Sequence, residues 1–181
     1  MTLEKLTQQL NDFADIQQQA MPPVEKWDPP FCGDMDLTIK ADGQWFYMGT
    51  PFKRHRLVKL LASVLKKEGD NYYLVTPVEK IGITVEDAPL MLTEWQWLDD
   101  EQLTMQAKTN LDDVFVLDAS HPLSISANGN LYVIVRRNIT AKVHRNVYYQ
   151  WVELAEERTT EQGNILAFES AGQLFSLGAL E

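Results

Sequence analysis

Several features that would define the class of a protein at once are scarce in this sequence. Cys32 is the single cysteine, so no disulfide can form within the chain and a four-cysteine zinc site is excluded. No apolar run reaches the roughly 18 residues that a membrane-spanning helix needs. Glycine and proline number 9 and 8 among 181 residues, too few for a collagen-like or low-complexity chain. With 45% hydrophobic residues, the composition predicts a soluble globular protein.

Positive charge is scarce as well. Lysine and arginine number 16 against 26 aspartates and glutamates, which gives a net charge of −10. Because this balance would repel a phosphate backbone, we predict no nucleic-acid partner. The first residues lack the basic start and the apolar run of a signal peptide, and a single cysteine suits a reducing compartment. We therefore predict a cytoplasmic protein without membrane contact.

Residues 1–34 predict a helix followed by an extended arm. Apolar residues recur every three or four positions from Leu3 to Ile16, as they do in an amphipathic helix. Four of the eight prolines fall in residues 21–30, where the restricted backbone favours an extended segment. We expect Trp27 to anchor this arm.

A β-hairpin is predicted directly after the arm. Residues 37–41 and 44–48 flank Asp42-Gly43, a dipeptide that favours a two-residue type I′ turn. That turn would place Ile39 opposite Phe46.

Two further helices are predicted, each carrying an apolar stripe. For the first, Thr50 offers a cap, Pro51 a first-turn residue and Gly69 an end. The second contains Tyr148 and Trp151 in its stripe. Strands are predicted at residues 72–76, 80–85, 89–98, 102–108, 114–117, 131–135, 139–143, 165–168 and 174–177.

The order of these elements repeats along the chain. Residues 36–85 and 131–178 both consist of two strands, a helix, a glycine and two more strands, and His55-Arg56 is echoed by His144-Arg145. We predict an α+β fold with two similar β-β-α-β-β units in a compact, strand-rich architecture behind an amphipathic N-terminal helix. A single α+β domain with two similar helices is the alternative. The predicted divisions are 1–34 for helix and arm, 35–90 for the first unit, and 91–181 for a β meander and the second unit.

A set of short motifs lies between residues 21 and 155. They are Phe31-Cys32-Gly33-Asp34, Asp42-Gly43-Gln44-Trp45, Gly49-Thr50-Pro51, Arg54, Leu57-Val58, the run 74–80, Val85-Glu86-Asp87-Ala88-Pro89, Thr109-Asn110 and His121-Pro122-Leu123. These motifs resemble the bacterial family catalogued as domain of unknown function 1285. The resemblance implies an α+β fold with repeated structural units and a part in signalling or ligand binding. It carries over no catalytic residues.

The cations are segregated along the sequence. Two stretches without any acid hold ten of them: Lys53, Arg54, Arg56, Lys59, Lys66 and Lys67 in the first, and Arg136, Arg137, Lys142 and Arg145 in the second. The rest of the chain therefore carries six cations against 26 acids, a net charge of −20.

Arginines at the predicted helix starts point to anion binding. A cation at a helix start is repelled by the positive end of the helix dipole. A bound anion makes the arrangement favourable, because it accepts hydrogen bonds from free backbone N–H groups and from guanidinium groups. Arg54 and Arg145 each extend the inward-facing stripe of their helix. We predict that both line a cleft between the two units that holds an anionic small molecule. The other candidate residues for binding this anion are His55, Arg56 and His144.

Two structural alternatives account for the same cations. They could cover a solvated face or pair with acids such as Glu79, Glu86 and Asp87. Arg54 or Arg145 could also join the two units through a buried bidentate ion pair with Glu79 or Asp87.

Motifs for catalysis are weak, so we favour a binding protein over an enzyme. The sequence has no glycine-rich phosphate loop, nucleophile elbow or His-Glu-x-x-His helix. Asp118 and His121 could form an acid–base pair, but their spacing before Pro122 also suits a turn with local hydrogen bonds. Cys32 could act as a nucleophile only beside a base, and a lone cysteine is commonly a small buried apolar residue.

No metal or cofactor is predicted. His55, His121 and His144 lie far apart in sequence, and Asp34-Met35-Asp36 lacks the rest of a calcium loop. Trp95 and Trp97 share one face of a strand, where we expect burial under the N-terminal helix; exposure would favour a partner surface or a homo-oligomer.

Three functions remain, in descending order of support. The first is a regulatory or signalling module that binds an anionic small molecule, and it has the charge segregation in its favour. The second is a protein-interaction module with an apolar surface that includes Trp95, Trp97 or the N-terminal helix. The third, a hydrolase or transferase centred on Asp118, His121 or Cys32, has no specific motif in its favour.

Overall fold

The computed structural model describes residues 2–16 and 21–180, which divide into two compact units. Unit 1 comprises Met1–Asp87 and unit 2 comprises Ala88–Glu181. Within the described residues, no helix has the length and apolar content that a membrane span needs.

In its described residues, unit 1 combines two helices with a six-stranded sheet. The helices are α1 (Leu3–Ile16) and α2 (His55–Ser63), and a 3₁₀ turn covers Val24–Lys26. The strands are β1 (Phe31–Ile39), β2 (Trp45–Tyr47), β3 (Thr50–Pro51), β4 (Leu65–Glu68), β5 (Asn71–Val75) and β6 (Lys80–Val85). Their order in the sheet is β3-β2-β1-β6-β5-β4, and only the central pair, β1 and β6, runs parallel.

Unit 2 contains one helix and nine strands in two sheets. The strands are β7 (Leu90–Trp97), β8 (Met105–Thr109), β9 (Val114–Val116), β10 (Leu123–Ile125), β11 (Leu131–Arg136), β12 (Ile139–Val143), β13 (Glu156–Thr160), β14 (Gly163–Ser170) and β15 (Gln173–Ala179). The helix α3 (Arg145–Leu154) follows β12. The six-stranded sheet has the order β10-β11-β12-β7-β8-β9 with β12 and β7 parallel, and β13-β14-β15 form an antiparallel sheet.

The two six-stranded sheets share one strand order. Numbered from its own first strand, each sheet has the order 3-2-1-6-5-4, in which two antiparallel meanders meet through parallel first and sixth strands. The predicted α+β class with two similar units and an N-terminal helix is therefore confirmed. The repeated part of the structure is the six-stranded sheet, so residues 31–85 align with residues 90–143. The helices do not belong to this repeat, because α2 connects the third and fourth strands of its sheet whereas α3 follows the sixth strand. The two helix starts are consequently not equivalent positions.

The first hairpin forms in a register one residue away from the predicted one. The Lys40 N–H donates to the Gln44 carbonyl at 2.8 Å, so the loop has three residues, and Gly43 adopts a left-handed φ of 85°. Ile39 therefore lies opposite Trp45 instead of Phe46. This register buries the large Trp45 indole, and burial of one sheet face fixes the pairing of a hairpin.

The helix α2 is shorter than predicted at both ends. β3 occupies the expected first turn, the helix begins at His55, and it ends at Ser63. Leu65, expected in the helix stripe, is buried in β4, and Gly69, with a φ of 59°, lies in the turn before β5. A short apolar run is compatible with a buried helix and with a buried strand, so periodicity alone could not show where α2 ends and β4 begins.

The remaining predicted elements form close to their expected positions. Leu6 and Leu10 of α1 are buried, and α1 packs against α2. In the arm, Val24 is fully buried whereas Trp27 is half-buried, so Val24 is the principal apolar anchor. Besides β3 and β4, the strands β10 and β13 were not predicted.

Candidate functional site

The N-terminal end of α2 carries four consecutive exposed side chains, which we call the α2 basic patch: Lys53, Arg54, His55 and Arg56. Arg54 is the N-cap residue, and its side chain makes no capping hydrogen bond. The first turn of the helix contains no acid. Cations and the positive end of the helix dipole therefore occupy the same place, an unfavourable arrangement for a helix start.

The lysine and the two arginines of the patch have no described counter-ion. Within the described part of the chain, no hydrogen bond or ion pair engages the side chains of Lys53, Arg54 or Arg56. Two of the acids considered as partners are engaged elsewhere. Glu86 accepts from Lys40 at 2.8 Å and from the Ala41 N–H at 3.0 Å, and Glu79 lies 3.9 Å from Lys5.

The hydrogen bonds to Glu86 also account for its electrostatics. The Lys40 ammonium, followed by the Ala41 N–H, lowers the pKa of the Glu86 carboxyl below its ordinary value of 4.5. Glu86 is thus held charged by its own neighbours, and it is not a counter-ion of the α2 basic patch.

The start of α3 is built differently. His144 is the N-cap residue, and its Nδ1 accepts a hydrogen bond from the Asn146 N–H at 3.2 Å. Arg145 donates from Nε to the Tyr149 hydroxyl at 3.0 Å, and its guanidinium lies 5.5 Å from the centre of that ring. Both side chains therefore serve α3 itself.

The capping role of His144 gives a direct prediction. We expect His144→Ala to reduce the free energy of unfolding by about 1 kcal/mol, because the Asn146 N–H loses its acceptor. His144→Asn, which restores a capping oxygen, should recover most of that loss. Urea denaturation of the three proteins measures the difference, and equal losses in the two variants would show that the cap contributes nothing.

The predicted site residues thus fall into two groups. Arg54, His55 and Arg56 lie together on unit 1, whereas His144 and Arg145 lie together on unit 2. The convergence of Arg54 and Arg145 on one ligand stays a prediction.

Asp118 and His121 form a turn in which their side chains do not meet. The Asp118 carboxylate accepts from the Ser120 N–H at 2.8 Å, and the His121 N–H donates to the Asp118 carbonyl at 3.1 Å. His121 Nδ1 lies 2.9 Å from the Ile134 carbonyl oxygen, which can only accept, so Nδ1 carries the proton. The imidazole is therefore oriented by backbone, without a carboxylate among its described hydrogen-bond partners.

The other candidates also have identifiable surroundings. Cys32 is exposed, contrary to a buried apolar role, and its Sγ–H donates to the Pro30 carbonyl at 3.2 Å. Trp95 is half-buried, and its Nε1–H donates to Gln150 of α3 at 2.7 Å. The Trp97 ring packs edge-to-face on Trp95 with centres 5.8 Å apart. In the described residues, no group of three or more His, Cys, Asp or Glu is placed to hold a metal ion.

One ion pair with little exposure was not predicted from the sequence. Arg136, counted among the basic residues of unit 2, lies 3.2 Å from Asp113, with only 14% and 11% of the two side chains exposed. Burial lowers the pKa of Arg136, and the Asp113 charge opposes that shift. Asp113 also accepts from the Thr109 hydroxyl at 3.1 Å. Sequence offers no signal for this pair. Asp113 lies in the connection between β8 and β9, Arg136 ends β11, and neither β8 nor β9 is a neighbour of β11 in the sheet.

The fold and these surfaces define an α+β protein of two similar sheet-based units, one of which carries an exposed basic helix start. Two family models cover most of the chain: the N-terminal domain of DUF1285, a domain of unknown function, at residues 22–88, and its C-terminal domain at residues 89–177. The chain therefore belongs to the DUF1285 family. The boundary between the two family domains falls within two residues of the boundary between units 1 and 2.

Two solved structures are similar to this chain. A DUF1285 family protein from Silicibacter pomeroyi DSS-3 has 34% identity and a TM-score of 0.80, and the match covers 94% of this chain and 95% of that one. A DUF1285 family protein from Shewanella baltica OS155 has 28% identity and a TM-score of 0.55, with coverage of 66% and 91%. No curated protein matches the chain.

Proposed function

We propose that this chain is a regulatory or signalling module and that the α2 basic patch binds an anionic small molecule. One observation carries the proposal. Lys53, Arg54 and Arg56 are exposed at a helix start without any described ion pair, in a chain whose net charge is −10. An anion at this place would be attracted by the guanidinium groups, by the helix dipole and by the N–H groups of the first turn.

Acids that lie farther from the patch than the Debye length do not cancel its charge. At an ionic strength of about 0.15 M the Debye length is about 8 Å, so exposed charges farther away are largely screened. The patch therefore presents a positive surface to a ligand at short range, although the chain as a whole is negative.

The exposure of the patch limits the kind of ligand. One exposed ion pair contributes about 0.2–1 kcal/mol, whereas even a millimolar complex needs roughly 4 kcal/mol. The ligand must therefore carry several negative oxygens that engage both guanidinium groups at once. Phosphate and carboxylate groups suit the planar donor geometry of arginine, so we propose a metabolite with two or more such groups.

A thermal-shift screen tests the proposal. Nucleotides, phosphorylated sugars and di- and tricarboxylic acids are compared on the wild-type chain, on Arg54→Gln and on Arg56→Gln. The matched control is Lys26→Gln, which removes one exposed cation outside the patch. We expect selected polyanions to raise the melting temperature of the wild type and of the control, because a ligand that binds the folded state stabilises it.

The two patch variants should lose most of that stabilisation while keeping the melting temperature of the free protein. The effect should also weaken at high salt. A polyanion that stabilises the patch variants as much as the wild type would place binding elsewhere and overturn the proposal. The absence of any response to the whole screen would do so as well.

A further inference from the structure

The most distinctive exposed feature outside the α2 basic patch is the start of β1. Phe31 and Asp34 belong to the motif Phe31-Cys32-Gly33-Asp34. Both residues are exposed, and Phe31 is 56% accessible to solvent.

The backbone of β1 is irregular on both sides of Asp34. The register between β1 and β6 shifts between Phe31 and Asp34 and again between Asp34 and Thr38. Gly33, with a φ of 98°, adopts a conformation that favours glycine. Such bulges redirect side chains and are common beside functional sites.

In this part of β1, the Asp34 carboxylate lies directly against Gly82. Asp34 is the cross-strand partner of Gly82 in β6, and Asp34 Oδ1 fills the place where a Cβ of residue 82 would stand. The same place is 3.6 Å from Cε2 of Phe31. The Asp34 carboxylate and the Phe31 ring therefore both lie beside the Cβ position of residue 82.

The neighbouring charges leave Asp34 without a counter-ion. Two lysines on this part of the sheet, Lys66 and Lys80, contact Glu68 at 3.2 and 2.9 Å. Lys80 also lies 5.0 Å from the centre of the Tyr73 ring, on which Phe31 packs edge-to-face. Asp34 itself has no ion pair or hydrogen bond from a described side chain.

We propose that Asp34 and Phe31 bind a guanidinium group, supplied by an arginine side chain of a partner protein. A guanidinium group donates two parallel hydrogen bonds to a carboxylate and stacks on an aromatic face, so it matches both members of this pair. The negative charge of the chain favours the approach of a basic partner. Asp34 and Phe31 are exposed on a sheet, where a side chain of a partner protein can reach both of them.

The experiment is a titration of the ¹⁵N-labelled full chain with N-acetyl-arginine N-methylamide, followed by NMR. The lysine and leucine analogues serve as comparison probes. We expect saturable shifts at the amides of residues 31–34, 73 and 82, with the arginine probe binding at least about threefold more tightly than the lysine probe. Asp34→Asn should weaken binding at least about fivefold, whereas Asp36→Asn, which removes another exposed carboxylate of β1, should leave it unchanged.

Gly82→Ala provides a second, independent variant. The added methyl group would displace the Asp34 carboxylate, and the end of this flexible side chain can move without disturbing the sheet. Binding should fall as it does in Asp34→Asn, with the circular dichroism spectrum unchanged. Equal binding by Asp34→Asn and the wild type, or equal affinity for the leucine and arginine probes, would overturn the proposal. Tighter binding of free arginine than of the blocked probe would overturn the assignment to a partner protein.

Discussion

Asp113→Ala is expected to lower the free energy of unfolding by about 3–5 kcal/mol, because it removes one partner of a buried ion pair. The Arg136 side chain is 14% exposed and lies 3.2 Å from Asp113. Without the carboxylate, the guanidinium keeps its desolvation penalty and loses the Asp113 charge, which offsets part of that penalty. The Thr109 hydroxyl loses an acceptor in the same step.

Two further variants sharpen this prediction. Glu94→Gln removes another charge of unit 2, which is exposed and pairs with Lys108 at 3.4 Å, and should cost less than about 1 kcal/mol. Asp113→Leu combined with Arg136→Met replaces the pair by apolar groups and should cost less than Asp113→Ala alone. Urea denaturation followed by circular dichroism measures all three. A loss below 1 kcal/mol in Asp113→Ala would refute the assignment of this pair to the core of unit 2.

Ser170→Ala is the second substitution with a large expected effect. Ser170 is fully buried, and its hydroxyl accepts from the Met105 N–H at 2.9 Å and donates to the Leu117 carbonyl at 2.6 Å. It thereby connects the three-stranded sheet to the β8–β9 meander. Alanine would leave one buried N–H and one buried carbonyl without a partner, at about 1–3 kcal/mol each, so we expect a total loss of about 2–5 kcal/mol.

Ser176→Ala is the matched control for this substitution. Ser176 lies in β15, is half-buried and forms no described hydrogen bond through its side chain, so its loss should stay within about 0.5 kcal/mol. Hydrogen exchange adds a local readout, since the Met105 amide should exchange faster in Ser170→Ala only. Unchanged protection of that amide would contradict the described bond.

The sequence was a good guide where a pattern was long and regular. The amphipathic period of α1 and the apolar strand β11 were predicted in place, because each buries one face over several residues. The strand order was beyond prediction, since the pairing of β1 with β6 and of β7 with β12 joins residues about 50 positions apart. The predicted repeat was aligned on the two helices. These helices are not part of the repeat in the structure, because they follow different strands of the two sheets.

The candidate site shows the same limit. Charge counting identified the α2 basic patch, because exposure of cations at a helix start follows from local sequence. It did not separate Arg136, which is buried against Asp113, from the exposed cations. It also did not foresee that His144 caps α3 or that Arg145 contacts Tyr149. Those roles depend on side-chain placement, which the spacing of charges does not determine.

An NMR titration of the full chain with inorganic pyrophosphate measures anion binding at the α2 basic patch directly. We expect saturable shifts at the backbone amides of His55 and Arg56, with an apparent Kd that rises with salt. Those shifts should disappear in an Arg54→Gln/Arg56→Gln double variant. Shifts of equal size at the Asn146 amide of α3, or no saturable shift at the start of α2, would contradict the assignment of the anion site.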